Sequence, residues 1–180
     1  IFSSKIYKEI FETEDVFTKT YLWPNLTFAL STNGTMMTEK MQKKYKHFFD
    51  HICELSISID AGNKSSYEKV RVGGDWDLLW KNLHYYYETT VKKGTNEWSW
   101  NVIVQKNNYE SIPELINIAS THFSEIKPKI HLSPLLNWGT WTEKQYLEYA
   151  VHLPLHPEYE KYQSILKLTE VSSYFNNAYN

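Results

Sequence analysis

The stretch Glu54-Leu-Ser-Ile-Ser-Ile-Asp-Ala-Gly62 alternates polar and apolar residues and then stops at Asp-Ala-Gly. That pattern predicts a strand running into a tight turn. Three further apolar runs have the same grammar. Leu26-Thr-Phe-Ala-Leu30 closes on Ser31-Thr-Asn-Gly34, Trp98 to Val104 closes on Gln105-Lys-Asn-Asn108, and Lys129-Ile-His-Leu132 enters the loop Ser133 to Trp141. Helical spacing fills the intervals. Thr38 is placed to cap a helix from Glu39 to about Asp50, with Met41, Tyr45, Phe48 and Phe49 inward. A short helix from Tyr67 to Arg71 precedes Gly73-Gly74, and a long one from Trp76 to about Val91 carries Leu79, Trp80, Leu83, Tyr86 and Tyr87. Ser111 and Pro113 open a helix to about Phe123, and two more run from Thr142 to Ala150 and from Glu158 to Leu168. Lys5 to Phe11 reads as a first helix, capped by Ser3 or Ser4. The order is α-β-α-β-α-α-β-α-β-α, and three inter-strand connections are long enough for helical crossovers. An α/β fold with a parallel sheet is the expectation.

Composition narrows the function classes. Nineteen Lys plus Arg against 21 Asp plus Glu leave a net charge of −2 over 180 residues, so no broad nucleic-acid-binding face is expected. No apolar run approaches the roughly 20 residues of a membrane span. The opening Ile1-Phe-Ser-Ser4 lacks the basic and apolar regions of a secretory signal. Cys53 is the single cysteine, which excludes a disulfide framework or a cysteine-ligated metal site made by this chain alone. It begins a strand and reads as a core thiol. His47 and His51 are four apart on a helix, but no third ligand accompanies them.

In a parallel sheet the carboxyl ends of the strands share one edge, where ligands bind. Four polar clusters converge there: Thr32 and Asn33; Ser58 and Asp60; Gln105, Asn107 and Asn108; and Asn137. Ser58 and Asp60 are two apart and leave one strand face together, although Asp-x-Gly also suits a turn with no ligand. Arg71, before Gly73-Gly74, is able to clamp a carboxylate or simply to complement a helix end. Gly34 suits positive φ in a strand-to-helix turn. Asn137 offers an amide and Trp138 an indole, though a core position is the usual fate of a tryptophan.

The wording of these elements resembles the radical S-adenosylmethionine superfamily. Leu-Ser-Thr-Asn-Gly-Thr (30–35), Leu-Ser-Ile-Ser-Ile-Asp-Ala-Gly (55–62) and Ser-Tyr-Glu-Lys-Val-Arg-Val-Gly-Gly-Asp-Trp (66–76) are similar, in that order, to its third and fourth strands and the helix that follows. Val102 to Asn108 resembles the fifth strand and Leu135-Leu-Asn-Trp-Gly139 the sixth, so the likeness spans about residues 1–160. The Arg-x-Gly-Gly-x-Trp element looks most like members with a C-terminal SPASM or twitch domain, many of which modify peptides. The resemblance implies a partial (β/α)6 TIM-like barrel, here strands three to six, over residues 1–160, with 161–180 an extension toward a further domain. It implies S-adenosylmethionine and a 4Fe–4S cluster, reductive cleavage to a 5′-deoxyadenosyl radical, and hydrogen abstraction from a peptide or small-molecule substrate. Flavodoxin or ferredoxin as electron donor, a cytoplasmic location, and no nucleic-acid or membrane partner complete that expectation. Residue by residue, Ser58 and Asp60 lie by the ribose and the methionine moiety, Arg71 pairs with the methionine carboxylate, and Asn137 with Trp138 lies near the adenine. Thr32, Asn33, Gly34 and Gln105 line the same rim.

Two family elements are absent. There is no Cys-x-x-x-Cys-x-x-Cys, and no glycine-rich element to bind the methionine amino group; Ile1-Phe-Ser-Ser4 is similar to the residues just after the latter. The expectation is a fragment, inactive alone, with the cluster ligands outside it. A non-catalytic α/β ligand-binding module is the rival from another class. A carbohydrate-active barrel ranks last, because no pair of strand-end Glu residues supplies an acid and a base.

Overall fold

A computed structural model describes residues 26–94 and 97–168. The helix expected at Lys5 to Phe11, the Ile1 start and the tail beyond Leu168 lie outside the described residues. The described residues contain four strands: β1 (Phe28–Thr32), β2 (Ile52–Ser58), β3 (Glu97–Val104) and β4 (Lys129–Pro134). They form one sheet in the order β1-β2-β3-β4, and every neighbouring pair is parallel. Spatial order therefore equals chain order, as it must when each crossover returns to the next position on the same side.

Among the described residues, seven α-helices connect and follow the strands: α1 (Glu39–Lys44), α2 (Lys46–Asp50), α3 (Lys64–Val70), α4 (Trp76–Thr89), α5 (Ile112–His122), α6 (Glu143–Tyr149) and α7 (Tyr159–Leu166). Their starts follow local hydrogen-bond chemistry. Thr38, Asn63 and Asp75 each accept a backbone N–H from the first turn of α1, α3 and α4. Asn63 thereby starts α3 three residues earlier than the spacing around Tyr67 predicts. Thr142 and Gln145 form a reciprocal capping box on α6. The helix expected from Glu39 to Asp50 is broken at Tyr45, whose backbone (φ −109°, ψ 37°) leaves the helical region. With the break in place, Tyr45, Phe48 and Phe49 are all buried.

The core lies on one face of the sheet. Leu55 and Ile57 of β2, Trp98, Trp100, Val102 and Val104 of β3, and Ile130 and Leu132 of β4 pack with the apolar stripes of α2, α4 and α5. Aromatic rings supply much of it: Phe123 sits edge-on to Tyr87, Trp98 and Trp100 at centroid distances of 4.9, 5.1 and 5.4 Å. Such pairs each add about 0.5–1.5 kcal/mol beyond burial.

Cys53 corrects the sequence expectation, because it is exposed rather than a core thiol. The register shifts between Phe28, opposite Ile52, and Ala29, opposite Glu54. Cys53 is the extra residue in this irregularity, so alternation breaks and Cys53 and Glu54 both face away from the core. No helix among the described residues is long and apolar enough to cross a membrane.

Candidate functional site

The second face of the sheet is unlike the first. Register lines up Ala29, Glu54 and Glu97 in one row, and Ser31, Ser56, Ser99 and Lys129 in the next. Ser58, Asn101 and His131 form the row above, followed by Ile103 opposite Ser133. Apart from Ser99, these residues are half-buried or exposed. Asn101 Nδ2 donates to Ser56 Oγ across the strands at 2.5 Å. A groove of about 240 Å³ on this face lies at the amino ends of the strands, between Glu54, Glu97, Lys129 and His131.

The carboxyl ends of the strands carry the polar turns expected from the sequence. After β2, Asp60 takes a left-handed backbone (φ 63°) and is buried, 4% exposed. The strand ends at Ser58, so alternation no longer decides where the Asp60 carboxylate goes. Its Oδ1 accepts from the Ile103 N–H at 2.7 Å, and its Oδ2 pairs with Arg71 Nη2 at 2.5 Å. Arg71 terminates α3, and its side chain is 31% exposed. Its Nε is buried and has no hydrogen-bond partner. Gly74 allows the chain to fold back here, since a Cβ at that position would lie 2.8 Å from the Arg71 carbonyl oxygen. Beneath the pair, burial pushes the Tyr67 phenol above its ordinary range, with Arg71 partly offsetting this.

The other sequence-derived residues are distributed as follows. Thr32 Oγ1 accepts from the Gly34 N–H, and Asn33 Oδ1 accepts from the Thr35 N–H and hydroxyl, so both side chains serve their own turn. Gly34 is left-handed (φ 75°). Ser58 ends β2 beside Asn101. Gln105 contributes through its backbone, donating to Asn108 Oδ1 and accepting from the Asn108 and Tyr109 N–H groups. Asn137 Oδ1 accepts from Gly139 N–H, and its Nδ2 donates to the Trp141 carbonyl, so its amide is engaged in the turn after β4. Trp138 is not a core residue, since it is 83% exposed in that turn. The structure thus unites Asp60 with Arg71 directly, while Thr32, Asn33, Gln105 and Asn137 act as turn-formers on the same sheet edge.

Two buried amides bind backbone groups: Asn82 has no place in the sequence expectations, and Asn108 enters them only as a member of the polar cluster after β3. Asn82 Nδ2 donates to the carbonyls of Gly34 and Thr35, tying α4 to the turn after β1. Asn82 is three residues from Leu79 and four from Tyr86, so a polar residue on an apolar stripe was the available signal. Asn108 is 1% exposed and bonds the ends of β2 and β3. It belongs to the polar cluster expected at the end of β3, and nothing in Gln105-Lys-Asn-Asn108 marks it as the buried member.

Among the described residues, no group of three or more His, Cys, Asp or Glu side chains is placed to hold a metal ion. No protein-family model matches the chain, and no curated protein matches it in sequence.

Proposed function

We propose that this chain forms strands three to six of a radical S-adenosylmethionine barrel and contributes part of the S-adenosylmethionine site, in a cytoplasmic enzyme acting on a peptide or small molecule. The observation that carries this reading is the polar second face, which rises along the strands to the Asp60–Arg71 pair. All-parallel sheets are normally covered on both faces, and filled barrels line their interior with bulky branched residues. Serines, Asn101 and His131 here suit a wet chamber instead of a packed one.

The fit to the two implied groups differs. S-adenosylmethionine offers a carboxylate, an ammonium group, a ribose and an adenine. The buried, unpartnered Arg71 Nε suits the carboxylate, Ser58 has a hydroxyl at the strand end, and exposed Trp138 offers a stacking face. The Asp60 carboxylate is already engaged by Arg71 and Ile103, so its part is to hold the guanidinium. The cluster does not fit this chain: Cys53 is the single thiol in 180 residues, and an iron–sulfur cluster is held by several cysteine thiolates.

Titration calorimetry of the chain with S-adenosylmethionine tests the reading. Saturable binding is expected, and Arg71→Ala should weaken it by about 1.5–3 kcal/mol, the worth of a hydrogen bond to a charged group. Circular dichroism checks that the variant is folded. No binding at millimolar ligand by the folded wild-type chain would overturn the proposal, and unchanged affinity in Arg71→Ala would return Arg71 to a purely structural role.

A further inference from the structure

The Asp60-Ala-Gly62 turn is clamped at both ends by one short segment. Asn108 Nδ2 donates to the Asp60 carbonyl at 2.6 Å and to the Ile103 carbonyl at 2.8 Å, while its Oδ1 accepts the Gln105 N–H at 2.8 Å. Each function of the amide is therefore matched to a backbone group of opposite kind, and its orientation follows from that. At the far end of the turn, Gly62 N–H donates to Ser111 Oγ at 3.0 Å, and Ser111 Oγ–H donates to the Asn108 carbonyl at 2.8 Å. A Cβ on Gly62 would fall 2.0 Å from the Ser111 carbonyl oxygen, so the two turns touch at backbone distance.

A left-handed aspartate persists only where its surroundings over-determine it. Asn108 is the buried group that holds the Asp60 backbone, and the Asp60 carboxylate in turn holds Arg71. We propose that Asn108 is a positioning residue of the strand-end site, acting through Asp60 to aim the free Nε edge of Arg71 at an anionic ligand group. This rests on the ligand reading above for the identity of the anion, a carboxylate. Asn108 touches no ligand itself. Replacing it leaves two carbonyls and one N–H without partners and frees the Asp60 turn, so the guanidinium loses its fixed direction while keeping its charge.

The test is a double-mutant cycle with S-adenosylmethionine as the probe, using the full chain as wild type, Asn108→Ser, Arg71→Ala and the double variant. Asn108→Ser should weaken binding about tenfold in the wild-type background and cause no further loss once Arg71 is gone. A merely structural role would give the same loss in both backgrounds and would overturn the proposal, as would wild-type affinity in folded Asn108→Ser. If Asn108→Ser does not fold, Asn108→Asp takes its place, because it keeps the acceptor for Gln105 and loses the two donors. Amide hydrogen exchange tests the clamp even where S-adenosylmethionine fails to bind. The Ile103 N–H, bonded to Asp60 Oδ1, should lose protection in the variant, whereas the Ile59 N–H, bonded to the Asn101 carbonyl at 3.1 Å, should keep it. Equal behaviour of the two amides would sink the positioning role independently of the ligand.

Discussion

Alternate residues of β3 face two different solvents. Trp98, Trp100, Val102 and Val104 are buried against helices, while Glu97, Asn101 and Ile103 on the opposite side are exposed or half-buried. The same division runs through β2, where Leu55 and Ile57 are fully buried and Glu54, Ser56 and Ser58 are not. One face carries the energy of the fold: apolar area removed from water is worth roughly 25 cal/mol per Å². The other offers hydroxyls, amides and charges in register and contributes little burial. Stability and, under the proposed function, recognition are thus separated by one residue step along a strand, and substitutions on the two faces should have different readouts.

Trp100→Ala should show the largest effect. The indole is fully buried, 5.4 Å from both the Trp80 and Phe123 rings, so truncation leaves a cavity among rigid rings. A loss of about 3–5 kcal/mol is expected from urea unfolding. Trp100→Phe should cost clearly less, because it retains a ring and removes an indole N–H that has no hydrogen-bond partner. Equal losses for the two would show that ring packing is not what Trp100 contributes.

This two-faced design was largely legible in the sequence because it is a local property: alternation over 54–59 states which side chains share a face. Relations between strands were less legible. The displacement of Cys53 arises from a register shift against β1, and nothing within Ile52-Cys-Glu54 announces it. The strand-end edge was foreseen from four polar clusters, yet their internal bonding was not. Asp60 and Arg71 were read as two separate ligand contacts, whereas a left-handed backbone at Asp60 brings them together. Asn137 was read as free to meet a ligand, whereas its amide closes its own turn. Side chains at turns serve the nearest unsatisfied backbone groups first, and which groups those are depends on the folded turn.

An intermediate effect is expected on the helical side, where α4 meets α5. The His84 ring stacks on Phe123 at 4.9 Å and lies 5.8 Å from the His122 ring. Burial, and next the neighbouring His122, lower the His84 pKa, while Glu88 opposes them. The unfolded chain therefore binds a proton at His84 at higher pH than the folded one. The stability linked to this group is present above the unfolded value of about 6.5 and is lost as pH falls toward the lower folded value. Replacing His84 with Gln should flatten the fall in urea midpoint between pH 7.5 and pH 5.5. An identical fall in wild type and His84→Gln would assign the acid sensitivity to other groups.

Ser58→Ala should show the smallest effect on folding and so the sharpest separation of the faces. Ser58 is half-buried on the polar face at the end of β2, level with Asn101, and removal of its hydroxyl opens no void against the helices. The urea midpoint should correspond to a change of no more than about 0.5 kcal/mol. Under the proposed function, the same variant weakens S-adenosylmethionine binding by about 0.5–1.5 kcal/mol, the net worth of one neutral hydrogen bond. Affinity should therefore fall where stability does not, the reverse of Trp100→Phe, whose ring lies on the core face away from the ligand. A Ser58→Ala variant that loses 2 kcal/mol or more of stability, with binding unchanged, would mean that this face serves packing and that the chamber reading is wrong.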